Sequence, residues 1–400
     1  MTEVLIDADI RKAETLPAEF YTDELHFSKQ MERLSHSLQF VGHSSEFTSD
    51  LSPIAHLETV FKQPLLRTNH ESEKHLLSNV CTHRGMLLCQ EKKNGKSIQC
   101  PYHGRTFYRN GELKHMPGFE DVENFPSPSD NLPSLNLEEW FGFEFTSLDS
   151  TMRLETILKP IEQRMDWWLN DLKLEHDASR DRQWDIDANW ILYVDNYLEG
   201  FHIPFVHPEL NDALANNGYS TECFENTVLQ VGMANEGDVC FEIPDDSVDA
   251  GKRIAAYYWW IYPNMMMNIY PWGVSMNIIV PTSVNKTTVL FKSYVRNPDL
   301  LDKGAGALLD KVELQDQTVV EGCMRGLQSK LYHRGRYSAT HEKGVHHFHM
   351  KLTQHTDLES VFLRISCIVY QHNLSALYRL VAYLFELIQP GGARSKRAQK

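Results

Sequence analysis

The sequence predicts an α+β protein, in which a β-rich amino-terminal part is followed by an antiparallel sheet wrapped around a long helix. Three patterns lead to this prediction. Between residues 36 and 150, short apolar runs are separated by Gly, Asn and Pro, as expected of short antiparallel strands. Between residues 253 and 295, longer apolar runs alternate with turn residues. From 305 to 331, apolar residues recur every three or four positions, which is the period of a helix.

The order of these elements predicts four regions. We expect a helical segment (1–35) that packs on the second domain, an all-β domain (36–150), a helix-grip (START/Bet v1-like) domain (151–352) and a carboxyl-terminal extension (353–400). A sheet closed around a long helix encloses a pocket, so the helix-grip domain is the expected place for a ligand. The extension is predicted to hold an amphipathic helix at 374–389 and a basic tail.

Two further helices are predicted inside the helix-grip domain, over residues 153–175 and 187–206. Pro204 interrupts the second pattern, because proline removes a helical hydrogen bond and bends the chain. The stretch 121–133 carries three prolines and several small polar residues, which predicts a loop.

The composition limits the partners of the chain. Its 400 residues carry 39 basic and 54 acidic side chains, a net charge of −15, and this balance argues against nucleic acid as a partner. Neither a run of 18 apolar residues nor a signal-peptide layout is present, so we expect no stable membrane association. Seven cysteines, an odd number in a long chain, do not suggest a disulfide framework. These features predict a cytoplasmic protein.

Two short cysteine–histidine pairs are the most informative motif. Cys81 and His83 form the first pair, Cys100 and His103 the second, and sixteen residues separate the pairs. Two sulfurs and two nitrogens suit a tetrahedral zinc site, or a [2Fe–2S] cluster with two Cys on one iron and two His on the other. Zinc fingers usually pair like with like. The mixed pairs therefore favour the cluster over zinc.

The residues around these pairs strengthen that interpretation. Cys81-Thr-His-Arg-Gly and Cys100-Pro-Tyr-His-Gly resemble the two cluster-binding loops of Rieske proteins. Gly85 and Gly104 allow the backbone to turn closely around a cluster. The run 116–119, Met-Pro-Gly-Phe, resembles the third, proline-containing loop of the same family.

A second constellation lies at residues 195–207. Asp195, Glu199 and His202 are spaced to share one helix face. His207 lies five residues beyond His202, about 140° around an ideal helix, so a straight helix would not aim both rings at one metal. We expect the bend at Pro204 to let the two rings converge.

The long predicted helix offers a third ligand. Asp316 falls within its apolar stripe, where a carboxylate is costly unless it is paired or bound to a cation. A buried salt bridge is the alternative. With His202 and His207, Asp316 would form the two-histidine, one-carboxylate set typical of non-haem Fe(II) that activates O₂. The stripe itself consists of Leu309, Val312, Val319, Val320, Cys323, Leu327 and Leu331.

The second constellation also carries a family resemblance. Residues 189–208 resemble the D-x₃-[DE]-x₂-H-x₄-H motif of the large (alpha) subunit of Rieske non-haem iron oxygenases, and the resemblance runs from about residue 15 to residue 350. It implies that the chain is an oxygenase with one [2Fe–2S] cluster and one Fe(II) per subunit. Cys81 and Cys100 would bind the outer iron, and His83 and His103 the inner one.

The resemblance also implies how the two centres communicate. Glu199 would bridge His202 and His103 of a neighbouring subunit, which implies a homotrimer. Asp195 and Asn196, beside this bridge, are further candidate catalytic residues. The chain departs from the usual family pattern in four places. They are Ile191 where many relatives have Lys, Gln315 where an acidic residue is common, Glu199 where some relatives have Asp, and the segment beyond about residue 352.

The implied reaction needs electrons from outside the chain. No Gly-rich dinucleotide fingerprint is present, so NAD(P)H electrons would arrive through a separate reductase, with or without a ferredoxin. The oxygenase would then insert one or both atoms of O₂ into a small organic substrate. A Rieske-type electron carrier and a zinc hydrolase are the alternatives, but each would use only one of the two motifs.

Two classes of substrate remain open. Aromatic pocket walls suit planar rings, as in aromatic hydrocarbon catabolism by dioxygenases, and they equally suit quaternary ammonium groups. The stretch 13–22 resembles the amino-terminal part of choline- and betaine-type monooxygenases, which gives the second class some weight, while ring hydroxylation remains equally open. The histidine-rich segment 341–349 is interpreted as structural. The candidate pocket residues are Tyr197, Phe201, Tyr258, Trp260, Met266, Tyr270, Trp272 and Met276.

Overall fold

The computed structural model of the chain describes residues 4–148, 153–170, 172–207, 214–307 and 309–353, and for residues 214–218 it describes the backbone only. The predicted extension, with its amphipathic helix and basic tail, lies outside the described residues. Among those described, no helix combines the length and apolar character needed to cross a membrane.

The described helices fall into an amino-terminal group and a group around the second domain. Their bounds are α1 Glu19–Thr22, α2 Glu24–His36, α3 Ala55–Phe61, α4 Leu154–Leu169, α5 Trp190–Tyr197, α6 Ile203–Val206, α7 Leu309–Leu327 and α8 Lys343–Thr353.

The strands of the amino-terminal part are short, and those of the second part are longer. The first group is β1 Gln39–His43, β2 Leu51–Pro53, β3 Leu65–His70, β4 Glu73–Ser78, β5 Ile98–Gln99, β6 Thr106–Phe107, β7 Leu113–His115, β8 Ser134–Leu135, β9 Glu138–Trp140 and β10 Phe143–Thr146. The second group is β11 Glu175–His176, β12 Arg182–Ile186, β13 Leu214–Cys223, β14 Thr227–Ala234, β15 Ile254–Ile261, β16 Met265–Tyr270, β17 Gly273–Ser283 and β18 Lys286–Val295.

The amino-terminal strands form three small antiparallel sheets, in the orders β2-β3-β4-β8, β1-β10-β9 and β5-β6-β7. A buried ion pair joins the first two sheets, because Arg67 on β3 donates to both oxygens of Glu144 on β10 at 2.9 and 2.8 Å. The two cysteine–histidine loops follow β4 and connect β5 to β6. The predicted short antiparallel strands are therefore present, and they carry the loops at their ends.

The second part is built on one eight-stranded antiparallel sheet, in the order β11-β18-β17-β16-β15-β14-β13, with β12 also paired to β18. Nearly every residue of β15, β16 and β17 is buried, as expected of strands that are covered on both faces. Strand β18 alternates between buried and half-buried residues along much of its length. This sheet, with α7 beside its pocket, confirms the predicted α+β fold.

The long helix α7 is shorter than predicted. It covers Leu309–Leu327, whereas Gly304–Gly306 forms a separate short 3₁₀ turn. Its buried residues are Glu313, Val320 and Met324. Two members of the predicted stripe are wrong, since Cys323 is exposed and Leu331, 94% exposed, lies beyond the helix end. Other members of the stripe do face inward, because Val320 is buried and Leu327 packs against the core. Leu309, Val312 and Asp316 line a cavity.

The helix predicted over 187–206 is divided into α5 and α6. Asn189 caps α5, its side-chain oxygen accepting from the Ile191 amide at 3.0 Å. After Tyr197 the helix ends, and Pro204 lies in the first turn of α6, where a missing amide is tolerated. The prediction that Pro204 bends a continuous helix is therefore wrong. The helix predicted over 153–175 is also shorter, at Leu154–Leu169.

The amino-terminal segment packs directly on the second part of the chain. The indole nitrogen of Trp190 on α5 donates to Gln30 on α2 at 3.0 Å. The Thr15 amide donates to the carbonyl oxygen of Gly335 at 3.0 Å. The first contact holds α5, which ends shortly before His202, against the amino-terminal segment.

Candidate metal centres and substrate pocket

The two cysteine–histidine loops have the same backbone hydrogen bonds. In the first loop, the Gly85 amide donates to the Cys81 carbonyl oxygen at 3.0 Å. In the second, the Gly104 amide donates to the Cys100 carbonyl oxygen at 3.1 Å. Both glycines have a φ of +71°, the left-handed conformation that glycine adopts at low cost. The matched turns present one sulfur and one imidazole each.

The histidine rings of the two loops fit a role as cluster ligands. The rings of His83 and His103 lie 4.9 Å apart between centroids, at an interplanar angle of 73°. Their Nδ1 atoms are buried, and neither has a hydrogen-bond partner among the described residues. Buried polar atoms without a partner are costly, whereas coordination would satisfy both. Cys81 and Cys100, 2% and 3% exposed, are both free thiols.

Neighbouring loops hold the two cluster loops together. Thr82 of the first loop donates to the carbonyl oxygen of Asp130 at 2.7 Å, and Arg105, just after the second, donates to the Asp130 carboxylate at 2.8 Å. The hydrogen bond from Arg105 lowers the pKa of Asp130. The predicted third loop also lies here, with the Phe119 ring 5.5 Å from that of His83.

The three predicted mononuclear ligands converge, although they come from separate parts of the sequence. The Nε2 atoms of His207 and His202 lie 2.9 and 3.5 Å from the same oxygen of Asp316. One candidate ligand atom from each residue lies within 4.8 Å of the others. This compact set of two imidazoles and one carboxylate suits a single divalent metal ion.

Each ring is oriented by a hydrogen bond at its other nitrogen. His202 Nδ1 donates to Glu199 Oε1 at 2.6 Å, and His207 Nδ1 donates to Gln315 Oε1 at 2.8 Å. Such partners fix the tautomer, so that Nε2 faces the metal position. Asn196 Nδ2 donates to Asp316 Oδ1 at 3.0 Å and restrains the carboxylate. The sequence pattern marked Gln315 only as a departure, and only its position beside Asp316 hinted at a role.

Glu199 also explains the break between α5 and α6. Its second oxygen accepts from the amide nitrogens of Phe201 and His202, the latter at 3.0 Å. These bonds replace helical ones and begin a new turn. Gly200 is required at this turn, because a Cβ there would lie 2.6 Å from the ring of Tyr219. The turn, rather than Pro204, brings the two histidines together.

The ionisation of the three side chains reflects their proximity. Burial lowers the pKa of His202, but its bonds to Asp316 and Glu199 outweigh burial and raise it to about 9. The pKa of His207 is raised in the same way, mainly by Asp316. Burial opposes ionisation of Asp316, yet the two histidines lower the pKa of that carboxyl. A divalent cation would replace the protons that these groups share.

Asp195 lies away from the three converging side chains. Its carboxylate accepts from Tyr21 at 3.0 Å and contacts His349 Nε2 at 2.7 Å, while Tyr337 contacts the other nitrogen of His349 at 2.7 Å. Asp195, Glu199 and His202 therefore do not share a helix face, because α5 ends before Glu199. The histidine-rich segment supplies His349 to this buried network, which links the amino-terminal segment, α5 and α8.

A cavity lies between α7 and the sheet, beside the three converging side chains. Three of the predicted pocket residues line it: Tyr197, Tyr258 and Tyr270. Tyr219 and Phe291, which the sequence pattern did not single out, add aromatic surface. The other predicted pocket residues are not among its lining residues. Phe201 is exposed, and the side chains of Trp260, Met266, Trp272 and Met276 are buried in the hydrophobic core clusters.

Glu313 is the unexpected polar residue of the cavity wall. It is 3% exposed and lies one helical turn before Asp316. Tyr193 donates to its Oε2 at 2.6 Å, and Gln317 donates to its Oε1 at 3.3 Å. Burial raises the pKa of Glu313 to about 7. A buried carboxylate is costly, and this one lines the cavity together with Glu199 and Asp316.

Two iron-type sites on one chain, one made for a cluster and one for a single ion, are typical of oxygenases that combine electron storage with oxygen activation. Residues 37–126 match the family model described as "Rieske [2Fe-2S] domain". Residues 173–357 match "Ring hydroxylating alpha subunit (catalytic domain)".

Individual relatives extend over nearly the whole chain. The carnitine monooxygenase oxygenase subunit of Escherichia coli (strain K12) is 30% identical over 364 residues, which cover 87% of this chain and 95% of that protein. The chloroplastic choline monooxygenase of Beta vulgaris is 29% identical over 358 residues, 84% of this chain and 75% of that protein. The structure of a quaternary ammonium Rieske monooxygenase has a TM-score of 0.72 at 26% identity, covering 86% of this chain and 96% of that chain.

The chain therefore belongs to the alpha subunits of the Rieske oxygenases, which confirms the resemblance seen in the sequence. Its enzyme class is that of an oxidoreductase that uses O₂. The Rieske domain implies a [2Fe–2S] cluster and the catalytic domain a mononuclear iron. A pure electron carrier and a zinc hydrolase are excluded as alternatives, because each accounts for only one of the two matched domains.

Replacing Gln315 tests the orientation of His207. Gln315→Leu removes the acceptor at His207 Nδ1, and we expect the affinity for Fe(II) to fall by roughly ten- to a hundredfold. Fe(II) titration of the metal-depleted catalytic site measures this change. Gln315→Glu keeps an acceptor and serves as the control. Unchanged affinity in the Leu variant would show that the hydrogen bond does not position the ring.

Replacing Glu313 tests its buried carboxylate. The folded-state pKa lies above the ordinary value of 4.5, so the wild type loses stability as the pH rises from 4.5 through about 7. Glu313→Gln carries no such charge. We expect its stability relative to wild type to increase between about pH 5 and about pH 8, by at most about 3 kcal/mol. Urea unfolding at both pH values measures the difference in stability between the variant and wild type. A difference that does not change with pH would contradict the raised pKa of Glu313.

Proposed function

We propose that this chain is the oxygenase subunit of a monooxygenase for quaternary ammonium compounds. The observation that carries the proposal is the cavity beside the three converging side chains, whose wall includes several tyrosines and the buried carboxylate of Glu313. Aromatic faces and a negative charge bind a quaternary ammonium group by cation–π and Coulomb attraction. The relatives named as carnitine and choline monooxygenases support the same class of substrate.

The proposal assigns the metal ligands and the domains as follows. Cys81, His83, Cys100 and His103 bind the [2Fe–2S] cluster in a domain of about residues 36–150. His202, His207 and Asp316 bind the mononuclear iron in a domain of about residues 151–352. The orphaned Nδ1 atoms of the first set and the 4.8 Å convergence of the second support the assignment.

The side chains of the catalytic domain have separate tasks in this scheme. Glu199 and Gln315 hold the imidazoles with Nε2 toward the metal, and Asn196 restrains the carboxylate of Asp316. The iron, when bound, supplies the activation of O₂. Tyr197, Tyr219 and Tyr258 line the cavity and orient the substrate. Burial keeps all three phenols neutral by raising their pKa values above the ordinary range.

The electron route is proposed to cross between subunits. His103 lies on a loop whose tip is exposed, with Tyr102 59% exposed, so a second molecule can approach it. Beside Glu199, Phe201 and Phe205 are 46% and 81% exposed and form an apolar surface typical of a protein contact. We infer that the His103 loop of a neighbouring subunit docks there in a homotrimer, with Glu199 as the link.

The reaction balances with external electrons. One atom of O₂ enters a C–H bond of the substrate and forms a hydroxyl group, and the other leaves as water. Two electrons and two protons complete that water. A separate NAD(P)H-dependent reductase, directly or through a ferredoxin, is the proposed electron source, and a cytoplasmic location is proposed because nicotinamide nucleotides are available there.

Turnover with a surrogate reductase tests this function. The loaded oxygenase is supplied with NADH, reductase and ¹⁸O₂, and it is offered trimethylammonium compounds and simple aromatic hydrocarbons. We expect a product with one labelled oxygen from a trimethylammonium compound and none from the hydrocarbons. Hydroxylation of the hydrocarbons alone, or incorporation of both atoms, would contradict the proposal.

Glu199→Gln tests the inter-subunit link separately. The amide keeps an oxygen for His202 but removes the negative charge between the two centres. We expect both metals to be retained and reductase-driven turnover to fall by at least about a hundredfold. Metal analysis, stopped-flow reoxidation of the cluster and product formation measure these effects. Normal turnover in this variant would refute the bridging role.

A further inference from the structure

We propose that Glu313 is the counter-charge for the substrate's cationic nitrogen, and that the cavity selects amino alcohols of the choline type over cations that carry their own carboxylate. This inference rests on the proposed function and narrows its substrate class. It depends on three features of the described residues: where Glu313 lies, what it is bonded to, and which charges the cavity wall does not contain.

Glu313 lies close to the three proposed iron ligands. Glu313 and Asp316 are three residues apart on α7 and share one helical face. Both line the same cavity, as do His202 and His207. A cation attracted to Glu313 therefore sits about one helical turn from the proposed iron ligands, which leaves its substituents directed at the metal position.

The hydrogen bonds of Glu313 favour the ionised form but do not neutralise it. Its two described partners, Tyr193 and Gln317, are both neutral donors. Within the described part of the chain, no Lys or Arg forms an ion pair with it. Every other buried carboxylate discussed above has a basic partner, as Glu144 has Arg67 at 2.8 Å. When Glu313 is ionised, its negative charge therefore has no basic partner among the described residues, and a bound cation would balance it.

Tyrosines provide the apolar part of the binding site. The rings of Tyr219 and Tyr258 are stacked at 6.4 Å, and Tyr270 meets Tyr258 edge-on at 5.9 Å. Three aromatic walls and one carboxylate match the size and charge of a methylated ammonium group. The amides of Asn268 and Asn277, also on the wall, suit a hydroxyl group.

Among the described residues that line it, the cavity offers a substrate carboxylate no Lys or Arg partner. Residues 208–218, whose side chains are not described, contain none in their sequence either. Arg180 and Arg182 lie in a neighbouring depression that shares only Phe291 and Leu309 with this cavity. Each is paired with an aspartate, Asp302 at 2.6 Å and Asp310 at 3.1 Å. A carboxylated cation would meet Glu313 without compensation.

Calorimetric titration of the oxidised holoenzyme tests this selection without relying on turnover. The probes are choline, the neutral alcohol in which a tert-butyl group replaces the trimethylammonium group of choline, and the carboxylated cations carnitine and glycine betaine. We expect wild type to bind choline at least about tenfold more tightly than each of the other three. In Glu313→Gln, the preference of choline over the neutral analogue should fall below about threefold, while binding of the neutral analogue stays unchanged.

Two further variants control for indirect effects. Asp310→Asn removes a negative charge from the same helix at an exposed position, and it should leave the preference intact. Tyr193→Phe removes only one hydrogen bond to Glu313, and it should weaken choline binding less than Glu313→Gln does.

The outcomes separate this inference from the proposed function. If carnitine or glycine betaine binds as tightly as choline, or if Glu313→Gln keeps the preference for the cation, the role of Glu313 is refuted while the proposed function stands. If wild type binds none of the trimethylammonium cations, the proposed function itself fails.

Discussion

The structure of the catalytic part depends on one constraint, the convergence of two imidazoles on the carboxylate of Asp316. His202 and His207 belong to the short stretch after α5, whereas Asp316 is more than a hundred residues later on α7. Bringing them together requires the helix to end after Tyr197 and α7 to lie across the sheet. The turn at Glu199 and Gly200 satisfies the first requirement. The eight-stranded sheet provides the support for the second.

The same arrangement places two carboxylates close together on the wall of the cavity, and the difference between their surroundings explains what each can bind. Asp316 and Glu313 share the inner face of α7, yet their environments differ. Two histidines lower the pKa of Asp316, whereas burial raises that of Glu313 to about 7. One carboxylate is thus kept for a metal ion, and the other is left with neutral neighbours. Because a buried charge of this kind lowers stability, its presence is best explained by a ligand that balances it.

Much of this could be predicted from the sequence because the decisive patterns are local. Cys81 and His83, like Cys100 and His103, lie on tight turns where spacing alone indicates geometry. The end of α5 was not predictable, because it depends on a side chain replacing helical hydrogen bonds. Gln315 and Glu313 were missed for a related reason: their roles arise from contacts with His207 and Tyr193, over a hundred residues away. Periodicity placed much of the inward face of α7 correctly, but it extended the stripe beyond the helix end and passed over Glu313, since it weighs only apolar residues.

Counting metals in matched proteins tests the two-centre arrangement most directly. Wild type and a His207→Ala variant are purified without oxygen, reconstituted with iron and sulfide, and analysed for iron, acid-labile sulfide and the electron paramagnetic resonance of the reduced cluster. We expect three irons and two sulfides per wild-type chain, and the loss of one iron with an unchanged cluster signal in the variant. A variant that keeps all three irons, or a wild type that holds zinc at this site, would contradict the assignment of the catalytic centre.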